Sequence, residues 1–132
     1  MESEKEISTE LARFRLMPNG LIECETIAEG TGDMAEAIKS VNAMAELCED
    51  GAKPLLVRMS DNPIEDDARV YLLENIHVSM VALIGVTFMA RMMANLLLNF
   101  KKLPVPMRLF GDEESALNWI EKKNEELKAL RA

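Results

Sequence analysis

The segment MVALIGVTFMARMMANLLLNFKK, residues 80–102, decides how this chain folds. It contains the longest apolar stretch, Met80 to Leu98, which reads either as one membrane span or as two shorter elements. A span needs about 20 predominantly apolar residues in a row. Gly85, Arg91 and Asn95 interrupt this one. The segment therefore reads as a buried strand, MVALIG, followed by a helix with Thr87 as its cap. Lys101 and Lys102 close it, where the helix dipole favours cations.

The flanking sequence repeats this strand-then-helix unit. LARFRLM (11–17) alternates apolar and polar side chains, PNG is a turn, and LIECETI (21–27) resumes the strand pattern. The three predict an opening hairpin. Asp33 and Glu36 form a capping box. Met34, Ala37, Ile38, Val41, Met44, Ala45 and Cys48 then recur at helical spacing, with Gly51 as the stop. PLLVRM (54–59) is a short buried strand, and Ile64, Ala68, Tyr71, Leu72 and Ile76 mark a second helix over 63–77. After the third helix come a strand, VPMRLF, and a closing amphipathic helix capped by Asp112, with Trp119 as a core anchor. The order β-β-α-β-α-β-α-β-α predicts an α/β fold, a mixed β-sheet with helices packed against it. It forms one domain over residues 10–132 after a flexible N-terminus, residues 1–9.

The formal charge of −8 argues against nucleic-acid binding and against attraction to an anionic membrane. Cys24 and Cys48 fit no metal-ligand spacing and read as reduced core residues of a cytoplasmic protein. MESEKEIS is too acidic and polar for a secretory signal. His77 has no companion ligand, Ser60 and Ser79 have no base at a readable spacing, and EGTGD is not a phosphate loop. No cofactor is expected, and no catalytic or metal site.

Two features ask for a function. The first is VRMSDNPIEDDARVYL (57–72), rich in carboxylates. Asp61, Glu65 and Asp66 are the residue types of an oxygen-only metal site, but Asp66 and Asp67 are adjacent on a helix and point about 100° apart. Helix initiation accounts for all of them, with Asn62 as cap, Pro63 at the first position and Glu65 completing a capping box. The second is the third helix. Its polar residues Arg91, Asn95 and Asn99 form one narrow stripe, while Phe88, Met89, Met92, Met93, Leu96, Leu97, Leu98 and Phe100 cover the rest. Three covers compete for this excess: a second copy of the chain, a hydrophobic or lipid-like ligand in a groove, or the monomer's own core.

Element order and three stretches, KPLLVRMSDNPIEDDAR, VALIGVTFMARMMANLLLNF and PVPMRLFGDEESALNWI, resemble the STAS superfamily of sulfate transporters and anti-sigma-factor antagonists. The likeness is to its small stand-alone bacterial members near the CRAL-TRIO group. It covers about residues 10–125. In the antagonists a D-S-S-G-type turn after the equivalent strand carries a phosphorylated serine. Here that turn falls at Asp66-Asp67-Ala68-Arg69, without the serine or the glycine. Asp67 brings a fixed charge to that place but lacks a phosphate's second charge and third oxygen.

The resemblance implies a non-enzymatic regulatory domain working by protein–protein contact, without standard serine phospho-switching. Its regulatory surface would be Ser60, Asp61, Asp66, Asp67 and Arg69. Its dimer or ligand surface would be Phe88, Met89, Met92, Met93, Leu96, Leu97 and Phe100. The expected partners are a second copy and a regulatory protein. The alternative is a carrier or sensor of a small hydrophobic or lipid-like ligand.

Overall fold

A computed structural model describes residues 5–131. It is an α/β domain with a six-stranded mixed sheet and four helices. The strands are β1 (Lys5–Ser8), β2 (Ala12–Leu16), β3 (Ile22–Thr26), β4 (Pro54–Arg58), β5 (Met80–Ile84) and β6 (Met107–Phe110). The helices are α1 (Met34–Leu47), α2 (Asp66–Asn75), α3 (Phe88–Leu98) and α4 (Glu113–Arg131). The strands lie side by side in chain order, β1 to β3 antiparallel and β3 to β6 parallel.

Each parallel step needs a crossover, and all steps move the same way across the sheet. α1, α2 and α3 therefore share one face, as uniformly handed crossovers require. Ala43, Met44 and Leu47 of α1, Leu73 of α2, and Ala94 and Leu97 of α3 pack there on Phe14, Ile22, Leu55, Val81 and Leu83. α4 sits alone on the other face, where Ala116 and Ile120 meet Leu56, Met80, Ala82 and Ile84. Trp119 joins this second core beside Phe110, with ring centroids 5.6 Å apart. β5 is buried at every residue because both its faces are covered, so it shows no polar alternation.

The ends of the elements follow local chemistry. Asp33 accepts from the Glu36 N–H at 2.9 Å and caps α1, but the Glu36 carboxylate accepts from the Thr9 hydroxyl instead of closing the box. α1 ends at Leu47, so Gly51 (φ +133°) shapes the following turn and does not stop the helix. In the hairpin turn only Gly20 takes positive φ, at +89°, with its N–H on the Met17 carbonyl. This is a three-residue loop with its left-handed position at the glycine.

Two further expectations are corrected. Residues 5–8, read as part of a flexible terminus, form the edge strand β1, paired from Lys5↔Leu16 to Ser8↔Arg13; residues 1–4 lie outside the described residues. The short polar run gave no alternation of its own, and its pairing is supplied by β2. The second helix starts at Asp66, not at residue 63. Gly32 N–H donates to the Pro63 carbonyl and Glu65 N–H to the Gly32 carbonyl, each at 2.9 Å. This bridge holds residues 63–65 extended and consumes the groups a helix would use.

Candidate functional site

The acidic turn is a connector between helices. Ser60 Oγ accepts from the Asn62 N–H at 3.2 Å. Asn62 reaches across to the preceding loop, donating to the Ala28 carbonyl at 2.9 Å and accepting from the Gly30 N–H at 3.3 Å. It therefore fastens two loops and does not cap α2, whose N-cap position is held by Glu65 without a side-chain bond. Asp61 accepts from the Thr87 hydroxyl at 2.6 Å, and Thr87 in turn accepts from the Ala90 N–H and caps α3. Arg69 pairs with Asp66 at 3.1 Å and donates to the Leu96 carbonyl of α3 at 3.2 Å. Asp67 accepts from the N–H of its neighbour Ala68 at 2.8 Å.

The structure thus brings Asp61 and Arg69 against α3, while Asp66 points into solvent with 94% of its side chain exposed. Among the described residues, no cluster of three His, Cys, Asp or Glu side chains is placed to hold a metal ion. The carboxylates start and fasten helices.

α3 divides the apolar residues singled out on it. Met93 and Leu97 are buried, and Phe100 packs from just beyond the helix onto the first core. None of the three can serve as a dimer surface, because the helical period turns Met93 and Leu97 toward the sheet and Phe100 follows them inward; Leu97 instead lines an internal cavity. Phe88, Met89, Met92 and Leu96 face outward, joined by Val86 just ahead of the helix. Phe88 is 79% exposed and Val86 73%. Phe88, Met92 and Leu96 are spaced by four and line up as a ridge. Between Glu74 and Asp112 the chain has no carboxylate, so α3 itself carries no acidic residue in a protein of charge −8; the carboxylates near the ridge come from the acidic turn, Asp61 on Thr87 and Asp66 through Arg69 at Leu96.

Between α2 and the sheet lie two adjoining cavities, an outer one of about 140 Å³ and an inner one of about 150 Å³. Ala12, Cys24, Ser40, Val57, Met59, Ile64 and Leu72 line both. Phe14, Leu55, Leu73, Ile76, Val81, Leu83 and Leu97 complete an inner wall of carbon and sulfur. The outer cavity opens past Asp33, Glu36, Ser60 and Asn62. α2 is short, buries only Ala68 and Leu73 completely, and packs chiefly on α1. The Gly32–Ile64 bridge pins its approach. Burial pushes the Cys24 thiol up to about 12, with the nearby charges of Glu25 and Glu36 adding to it, so it stays protonated. Cys24 and Cys48 are both free.

A third feature escaped the sequence reading. α4 covers only the β4–β6 side of its face, and the remainder is a charged ladder. Arg13 and Arg15 pair with Glu25 at 2.6 and 3.2 Å, and Arg58 pairs with Glu23 at 2.9 Å and with Glu113. The Arg13 guanidinium holds the Glu25 carboxyl below its usual range, against the opposing effect of burial. The polar positions of LARFRLM and LIECETI already marked these residues as facing away from the first core. That Arg13↔Glu25 and Arg15↔Glu23 are opposite each other needed the hairpin register. Arg108 stacks its guanidinium over Phe110, 5.4 Å from the ring centroid.

The chain is similar to a protein with unknown function from Arthrobacter sp. FB24, known from a crystal structure. The two are 25% identical, the match covers 87% of this chain and 96% of that one, and the TM-score is 0.34. No curated protein matches. The family model described as a domain of unknown function, DUF7793, matches residues 15–124, and the chain belongs to that family.

Proposed function

We propose that this chain is a non-enzymatic regulatory domain of the cytoplasm, STAS-like in kind, that acts through protein–protein contacts at the outward ridge of α3. The observation that carries this reading is the row Val86, Phe88, Met89, Met92 and Leu96, an exposed apolar ridge on a helix that has no acidic residue of its own. The occupant is a second copy. Antiparallel pairing of two α3 helices about a two-fold axis sets Lys101 and Lys102, just past the C-terminus of one helix, beside Asp61 at the N-terminus of the other. Both ends of the pair then match in charge, and the two helix dipoles oppose each other. Asp61 and Arg69, each bonded to α3, make the acidic turn part of the same surface. The missing serine and glycine at 66–69 favour a contact that operates without phosphorylation of that turn.

Native mass spectrometry with light scattering at tens of micromolar tests the reading. The expected result is a dimer that Phe88→Asp and Met92→Asp convert to folded monomer, and that 0.5 M salt weakens. A wild-type chain that stays monomeric overturns it.

A further inference from the structure

We infer that the paired cavities between α2 and the sheet form a binding site for a small, neutral, mostly apolar molecule carrying one hydroxyl or carbonyl group, which Ser40 receives. This site is independent of the α3 ridge. Size sets the class first. At about 150 Å³ the inner cavity has the volume of apolar protein cavities that admit benzene, and the outer cavity adds room for a few more atoms.

Chemistry sets the rest. Ser40 is the one polar residue buried as a whole among the described residues, 8% exposed, and the one hydroxyl that lines both cavities. A hydroxyl donates once and accepts twice, so it suits a single alcohol or carbonyl. Elsewhere the inner wall offers nothing to a second polar group. The outer cavity carries two carboxylates, Asp33 and Glu36, against one cation, Arg58, which Glu23 and Glu113 already pair. The balance disfavours a carboxylate with an apolar tail, although its tail would fit. A ligand seated here touches Leu72, Leu73 and Ile76 of α2 and Leu97 of α3, so it bears on the helices that carry the acidic turn and the ridge.

Three probes of one size test the site: benzyl alcohol, toluene and benzoate, titrated into methyl-labelled protein and followed by NMR. Benzyl alcohol is expected to give saturable shifts at Leu72, Leu73 and Ile76, and benzoate none. Ser40→Ala should weaken benzyl alcohol about three- to tenfold, the worth of one hydrogen bond, and leave toluene unchanged. Cys24→Ile, which fills the void from β3, should abolish the shifts of both neutral probes while keeping a native spectrum. Absence of saturable shifts overturns the inference. So do shifts confined to Met89 and Met92 on the α3 ridge, benzoate binding as well as benzyl alcohol, or persistence of the shifts in Cys24→Ile.

Discussion

Asp61 accepts a 2.6 Å hydrogen bond from the hydroxyl of Thr87, the residue that caps α3. The bond thus ties the connection after β4 to the start of the helix after β5. The turn and the helix are one structural unit, although they read as separate features in the sequence.

Thr87→Val keeps the shape of the side chain and removes both bonds. It should cost about 1–2 kcal/mol in urea unfolding, the range for loss of a helix cap. Asp61→Asn should cost less, because the cap bond to Ala90 survives. A double-mutant cycle should show the two substitutions to be coupled. Additive effects would show that the turn and the helix are independent.

Neighbouring methionines should behave in opposite ways. Met93→Ala empties a buried position and should lose about 2–4 kcal/mol. Met92→Ala trims an exposed position and should leave monomer stability within about 0.5 kcal/mol. Chemical denaturation at concentrations that keep the chain monomeric measures both.

Cys24→Ile should stabilise the protein by about 1 kcal/mol, since it places carbon in the void and puts a β-branched residue in a strand. The wild-type thiol, raised to about 12, should resist iodoacetamide at pH 8 until denaturant is added. Mass spectrometry of the alkylated peptides reads this directly. Rapid labelling of Cys24 in the native protein would mean that the cavity opens freely.

Glu25 sets a pH dependence of definite sign. Its folded-state carboxyl titrates below the ordinary value of 4.5 because Arg13 bonds the ionised form. The unfolded chain therefore takes up the proton first as pH falls. The stabilisation is complete above about pH 4.5 and is lost as pH drops through the folded-state value. Glu25→Gln should lower Tm slightly at pH 7, and the gap to wild type should narrow as pH falls below 4.5. A gap that stays constant with pH would assign the effect to packing.

Much of the fold was legible because each element carries its own local chemistry. Thr87, Asp33 and Asp112 satisfy the N–H groups of the helices they begin, a demand that exists before any tertiary contact. Met80–Ile84 is apolar throughout, so it marks itself as a strand covered on both faces. The start of α2 was misread for the same reason. Asn62, Pro63 and Glu65 are a good local start signal, but Gly32, distant in sequence, takes the backbone groups of Pro63 and Glu65.

By itself the sequence determined the alternation of strands and helices, the caps and the excess of apolar side chains on α3, because these depend on neighbours within a turn or two of chain. Only the tertiary structure decided which of those side chains remain outside. Phe88, Met92 and Leu96 are exposed, while Met93 and Leu97 are buried, because the crossover fixes which side of α3 meets the sheet. It also made a strand of Lys5–Ser8, opposed Arg13 to Glu25 and left a cavity beneath α2. These depend on how far apart separately folded elements come to rest, and no periodicity along the chain encodes that distance.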